Sequence, residues 1–426
     1  MSNIENAGSH IYVHVPFCDG KCAYCAFYSV LYDNKTADAY LKSLSNEMDL
    51  YLDNHSKPVP QTIYFGGGTP SILNQSQLAT LCSIVRERVD ASQLKEWTLE
   101  ANPNTLPPEK LRILKEAGVN RISIGVQSFD DRVLKSVGRR HSSADVAPTL
   151  DGIRAGGIEN IGIDLIVCLP RVDEEIWRDT LRKAIQLQPK HVSVYALSVE
   201  AGSCFARCSV PPPDDESQSR AGEITEELLE KADFERYEIS NYSKPGFQCL
   251  HNLAYWRGKD YVGFGPAASS RCGLKRWTNK PDLDSYVAAF KRRRVPCDMM
   301  LQSGEGNSVA APLRRGVFAR RQSAVATSCS TEPLPRDEET LSSDLDAVER
   351  VMFAFRLLKE GVDLHAFGSA SLVQQWENSL RQLSSEGLVE QREQRWFLTE
   401  RGRDFADHVA AQFLPDPPIA KAHAER

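Results

Sequence analysis

Long apolar runs are missing from this 426-residue chain. No stretch of about 18 apolar residues occurs, so no membrane-spanning helix is expected. The first ten residues, MSNIENAGSH, lack a basic cluster followed by an apolar stretch and do not read as a signal peptide. A large charge of one sign is missing too. Lys and Arg number 51 against 57 Asp and Glu, a net of −6. Such a balance gives no overall field for nucleic acid or for an anionic membrane, which leaves at most peripheral membrane contact. Paired cysteines of a disulfide scaffold are also lacking. Eleven cysteines is an odd number, and eight of them are scattered singly. That pattern points to reduced thiols and a cytoplasmic setting. What remains is ordinary globular composition, 41% hydrophobic and 25% charged, with room for two or three domains.

The other three cysteines are concentrated in residues 11–30, IYVHVPFCDGKCAYCAFYSV. Cys18, Cys22 and Cys25 form C-x3-C-x2-C in one short loop after an apolar strand. Thiolates select zinc, copper(I) or iron–sulfur clusters. Zinc fits less well, because a closed zinc site takes four ligands, normally in paired C-x2-C knuckles. A cubane cluster also takes four, usually all cysteine. Only three are local here, and Phe27 stands where a further close ligand would be. One iron is then open to bind a substrate or cofactor. The bland alternative is three core cysteines or half a disulfide framework, but Pro16, Asp19, Gly20 and Lys21 around them are not core neighbours.

With Tyr24 before its third cysteine, this loop resembles the signature of the radical S-adenosylmethionine (SAM) superfamily. More specifically, YVHVPFC…CAYCAFYS resembles the branch holding the oxygen-independent coproporphyrinogen III oxidases and the HemW-type heme chaperones. The resemblance implies a [4Fe–4S] cluster on Cys18, Cys22 and Cys25, SAM at the open iron, reductive cleavage of SAM, and an electron donor such as a flavodoxin or ferredoxin.

Periodicity gives the fold class independently. Strand-like segments at 11–15, 62–65, 97–101, 121–126, 161–167 and 191–197 alternate with helical segments, the last around 215–232. Such alternation argues for α/β architecture with a parallel sheet that can curl into a partial barrel. Chemistry in such barrels sits at the C-terminal strand ends. The cysteine loop follows the first strand and Gly66-Gly67-Gly68-Thr69 the second. Glu100, Gln127, Asp164 and Tyr195 lie in or at the ends of the third to sixth. The resemblance sharpens this to a partial (β/α)6-type radical SAM barrel over 11–235, after an N-terminal tail of 1–10. A barrel extension with added β elements is expected over 236–290, and a flexible basic insertion over 291–343, where KRRR, PLRRG and ARRQ sit among small residues. A small α+β winged-helix-like C-terminal domain is expected over 344–414, with a disordered tail at 415–426.

Glycines let backbone approach a ligand, and successive N–H groups can hold a carboxylate while the run orients an amine. By resemblance, Gly67, Gly68 and Thr69 contact the amino-acid part of SAM. Glu100, Gln127, Arg139 and Asp164 match SAM-binding positions, Arg139 pairing with the carboxylate and Asp164 accepting from ribose. Tyr24 is placed to contact adenine, and Tyr12 is a further aromatic that reads nearly as well as core. Cys168 stands where the branch usually has glycine before Leu-Pro, adding a side chain near the SAM pocket. In HNLAYW (251–256) a histidine with flanking aromatics can ligate heme iron, and His251 matches the heme-binding HNxxYW element of the HemW-type family. The implied function is heme binding and delivery to an acceptor hemoprotein. The alternative is oxidative decarboxylation of coproporphyrinogen III, whose enzymes typically carry C-x3-C-x2-C-x-C and so have cysteine where this chain has Phe27. A radical SAM enzyme acting on an unrelated substrate is the third reading.

Overall fold

The computed structural model describes residues 8–53, 55–291 and 336–414. Six strands run parallel and in chain order: β1 (His10–Val15), β2 (Thr62–Gly67), β3 (Glu96–Ala101), β4 (Arg121–Gln127), β5 (Asn160–Val167) and β6 (His191–Ala196). Three short strands extend them: β7 (Glu235–Arg236), β8 (Asn241–Ser243) and β9 (Val262–Phe264). β9 pairs in parallel with β1, while β8 and β7 continue antiparallel beyond β6. The nine-stranded order is therefore β9-β1-β2-β3-β4-β5-β6-β8-β7, a partial barrel whose edges are extended by added strands.

Side chains alternate strictly across each strand, and here the alternation separates apolar from polar. Ile63, Phe65, Trp97, Leu99, Ile122, Ile124, Ile163 and Val192 belong to the buried apolar layer under the helices. That layer includes Tyr40 and Leu44 of α1 (Asn34–Leu52), Leu78 and Leu81 of α2 (Gln75–Arg88), Leu111 of α3 (Pro108–Ala117) and Leu150 of α5 (Val146–Ala155), which follows the short α4 (Asp131–Ser136). It also includes Trp177 of α6 (Glu174–Gln186), Ile224 of α8 (Asp215–Lys231) and Tyr286 of α10 (Leu283–Phe290). The intervening residues, Thr62, Tyr64, Glu96, Glu100, Arg121, Ser123, Asp164, His191 and Ser193, occupy the opposite, concave face. A barrel with so polar an interior is built around something other than its own packing.

α1 is tied to the extension by one carboxyl. Glu47 accepts from Gly265 N–H (2.8 Å), Asn279 Nδ2 (2.7 Å) and Tyr286 OH (2.6 Å), which satisfies the cost of burying it. Near it β10 (Ser269–Cys272), β11 (Lys275–Asn279) and β12 (Arg336–Thr340) form a second, antiparallel sheet. β12 lies within the stretch expected as a flexible basic insertion, of which 292–335 is outside the described residues. RDEET has no apolar alternation. It is held instead by charge, Glu339 pairing with Arg276 and Arg336 lying over the Trp277 ring at 5.4 Å.

Residues 343–414 pack their own apolar cluster, with Val351, Phe355, Trp376, Leu380, Leu398 and Phe413 buried. Its elements are α11 (Ser343–Ala354), α12 (Ala370–Ser385), a hairpin of β13 (Val389–Arg392) and β14 (Arg395–Leu398), α13 (Glu400–Asp404) and α14 (Ala406–Ala411). α13 and α14 are divided at Phe405, which takes φ −108° and ψ 24°, outside the helical well. No helix among the described residues is long and apolar enough to cross a membrane.

Candidate functional site at the mouth and floor of the barrel

One cavity of about 710 Å³ opens at the C-terminal ends of the strands. Cys18, Cys22, Tyr24, Cys25, Gly67, Gly68, Thr69, Glu100, Gln127, Arg139 and Asp164 all line it. Eleven separately chosen positions thus share one wall. Two others do not reach it. Tyr12 lies below, its OH 3.1 Å from His14 Nδ1 and its ring 6.2 Å from that of Tyr64. His251 is buried at 2% exposure.

The glycine run is fixed by close approach. Gly67 has φ +104°, and a Cβ on Gly68 would meet Phe17 O at 2.5 Å. Its N–H groups are already engaged: Gly67 donates to Glu100 Oε2 (3.2 Å), Gly68 to Val15 O (2.9 Å) and Thr69 to Phe17 O (2.7 Å). The run therefore has no free N–H to cradle a carboxylate, as the sequence suggested. Carbonyl oxygens rather than N–H groups are what such a run can offer a ligand, and they suit an amine.

A chain of polar contacts joins two of the cysteines. Thr69 Oγ1 lies 3.6 Å from Cys18 Sγ and accepts from Asn102 Nδ2 at 3.1 Å. Asn102 Oδ1 accepts from Arg139 Nη2 at 2.7 Å, and Arg139 Nη1 lies 3.7 Å from Cys22 Sγ. Arg139 Nε is buried without a partner, one donor still unspent. Gln127 ends β4 at φ +70°, next to a register shift at Gly125. Such strain in a non-glycine residue concentrates at functional sites.

Two carboxyls lie deeper. Burial pushes Glu100 up to about 7, against the hydrogen bond it accepts from Tyr64 OH at 2.7 Å, and nearby Asp164 pushes it further the same way. Asp164 is also raised by burial, and accepts from Ser123 Oγ at 3.1 Å. Both are poised to accept from a polar ligand that replaces lost water.

The floor carries the second motif. α9 (Leu250–Trp256) holds HNLAYW, and Asn252 lines the cavity. Glu96 accepts from Leu250 N–H (2.9 Å) and His251 N–H (3.1 Å), capping α9 from β3. Thr62 Oγ1 sits between His251 Nδ1 (2.7 Å) and His10 Nδ1 (2.9 Å). Tyr64 and Tyr255 flank the His251 ring, with centroids 5.1 and 5.2 Å away. Burial lowers His251 to about 3, so it is neutral, and its Nε2 has no partner. A neutral imidazole with an unspent nitrogen is the form that binds a metal.

Sequence reasoning missed Asn102, Tyr64, Thr62 and Glu96. The last three share the polar face that alternation in β2 and β3 spells out. Cys168, expected to crowd the pocket, does not line it. It takes φ +61° and directs Sγ to Ser217 O at 3.7 Å. A left-handed residue there accounts for a preference for glycine without any contact to a ligand.

Three thiols, Cys18, Cys22 and Cys25, line the one cavity, and thiolates are the donors that iron–sulfur clusters take. Among the described residues no group of three or more His, Cys, Asp or Glu is arranged to hold a metal ion. A cubane asks less convergence of its thiolates, because each binds a different iron.

Comparison with known proteins agrees. The model of the Radical SAM superfamily matches residues 12–184, and that of the HemN C-terminal domain matches 341–405. Coproporphyrinogen III oxidase (HemN) from Escherichia coli has the same fold, with TM-score 0.75 over 96% of this chain and 90% of that one at 21% identity. The class is thus radical SAM, which implies a [4Fe–4S] cluster and SAM. Heme chaperone HemW of Bacillus subtilis is 32% identical over 413 residues, 95% of this chain and 98% of the relative. That of Lactococcus lactis is 30% identical over 95% of this chain and 97% of the relative, and that of Escherichia coli K12 is 39% identical over 61% and 69%. The chain belongs to the HemW family.

Proposed function

We propose that this protein binds heme and delivers it to acceptor hemoproteins from a radical SAM core. The observation that carries the reading is His251 Nε2, a buried, neutral, unpartnered ligand atom inside HNLAYW. The near full-length likeness to proteins named heme chaperone supports it. Because His251 is 2% exposed, iron at that nitrogen requires α9 to move off the barrel floor and off the cap that Glu96 places on it. Tyr255 and Trp256 then offer faces for a porphyrin.

At the mouth, Cys18, Cys22 and Cys25 hold the cluster. Thr69 and the carbonyls of Gly67 and Gly68 orient the amine of SAM, and Arg139 pairs with its carboxylate through its unspent donor. Glu100, Gln127 and Asp164 accept from or donate to its polar groups. Tyr24 packs on its adenine, and Tyr12 supports Tyr64 from below. Bound together, cluster and SAM supply one-electron chemistry. The electron comes from a flavodoxin- or ferredoxin-like donor, in the cytoplasm.

Phe27 is 71% exposed where the porphyrinogen oxidases of this branch carry cysteine, which disfavours that reading. The test is anaerobic incubation of heme-loaded protein with an apo-hemoprotein, beside an assay of coproporphyrinogen III with SAM and a reductant. Heme transfer without decarboxylation is expected. Clear decarboxylation overturns the proposal.

A further inference from the structure

Cys204 and Cys208 read from the sequence as scattered thiols, but they touch. They flank one turn of helix, α7 (Cys204–Arg207), with sulfurs 3.7 Å apart. Their C-x3-C spacing repeats that of Cys18 and Cys22. Cys208 is exposed and Cys204 half-buried, so solvent reaches the pair, whereas Cys82 and Cys249 are buried.

The inner side of the same turn supports the cluster loop. Phe205 is 8% exposed and packs with Val133, Val137 and Leu169 against Ala23 and Tyr24. Its N–H donates to Ala23 O at 2.9 Å. Ala23 and Tyr24 are the residues between Cys22 and Cys25. A movement of this turn is therefore felt at two cluster ligands.

A disulfide needs sulfurs about 2.05 Å apart and Cβ atoms about 3.8 Å apart. Residues one helical turn apart have Cβ atoms about 5–6 Å apart, so closing the bond requires the turn to open. The turn rests on Cys208 N–H to Cys204 O (2.9 Å), Arg207 N–H to Ser203 O (3.3 Å) and Ala206 N–H to Ser203 Oγ (3.0 Å). Ser209 N–H to Ala206 O (3.1 Å) and Val210 N–H to Phe205 O (2.9 Å) continue it, so opening it disturbs the packing of Phe205.

We propose that Cys204 and Cys208 form a redox-active dithiol that low-molecular-weight disulfides oxidise to an intrachain disulfide, and that its closure shifts the Cys22–Cys25 segment. The Cys208 thiolate attacks one sulfur of the oxidant and expels a thiolate, leaving a mixed disulfide. The Cys204 thiolate then attacks the Cys208 sulfur and expels the second thiolate. Two protein thiols lose two electrons, the oxidant becomes two thiols, and the two protons go to the thiolates released.

The test equilibrates cluster-loaded, full-length protein anaerobically in glutathione buffers of graded ratio. Free thiols are then alkylated and the peptide spanning Cys204 and Cys208 is weighed. A 204–208 disulfide is expected that rises and falls reversibly with the ratio. It is lost in both Cys208→Ser and Cys204→Ser and retained in Cys168→Ser. Hydrogen exchange at Ala23 to Cys25 is expected to change several-fold between the oxidised and reduced forms. A glutathione adduct without ring closure, or no reaction at any ratio, overturns the dithiol. A disulfide that leaves exchange at Ala23 to Cys25 unchanged overturns the coupling.

Discussion

Arg139 donates to Asn102 at 2.7 Å, and that single contact completes a polar chain from Cys18 through Thr69 and Asn102 to Cys22. Asn102 sets the guanidinium where a carboxylate can reach it. A hydrogen bond to a charged group contributes about 1.5–3 kcal/mol. Asn102→Ala is therefore expected to weaken SAM binding about tenfold or more, measured by anaerobic titration of cluster-loaded protein. Unchanged affinity contradicts the positioning role.

Glu100 gives a pH signature. Its folded value of about 7 lies above the ordinary 4.5. The folded form thus holds its proton where the unfolded form has lost it. Its contribution is fully present below pH about 4.5 and is lost as pH rises to about 7, by about 3 kcal/mol at most. Glu100→Gln removes this loss. Denaturant titrations of the ligand-free protein are expected to show the variant gaining on wild type between pH 5 and 8. Parallel pH profiles contradict the account.

Thr62 is placed to set the tautomer of His251. Its hydroxyl has one proton and two histidine neighbours. For Nε2 to carry the free lone pair, His251 Nδ1 must donate to Thr62, which then donates to His10. Groups that orient a metal-ligating histidine commonly contribute 10–100-fold in metal affinity. Thr62→Val is expected to weaken heme binding by about tenfold, read from a heme titration.

Cys168 carries a left-handed backbone on a side chain with little to offer in return. Left-handed conformation costs an ordinary residue about 1–2 kcal/mol. Cys168→Gly is expected to stabilise the fold by about 1 kcal/mol, measured by urea denaturation. A destabilised variant means that the packing of the thiol outweighs the backbone term.

The six barrel strands and the residues at their mouth were legible because period and motif agree. The polar floor was legible in part. Thr62 and Tyr64 alternate with Ile63 and Phe65, but a four-residue strand reads equally as buried on both faces. Asn102 was hidden in ANPN, which reads as a turn between strand and helix. The burial of His251 was hidden because the cap comes from Glu96, 155 positions away, and no local pattern records a contact so distant. β12 was missed because charge rather than apolar alternation pairs it.

The central claim rests on His251, and heme titration of purified wild-type protein against His251→Ala tests it most directly. The account predicts that the alanine variant keeps its fold and its cluster but binds heme at least about tenfold more weakly, a change of about 1.4 kcal/mol or more. Equal affinity in the two proteins contradicts it.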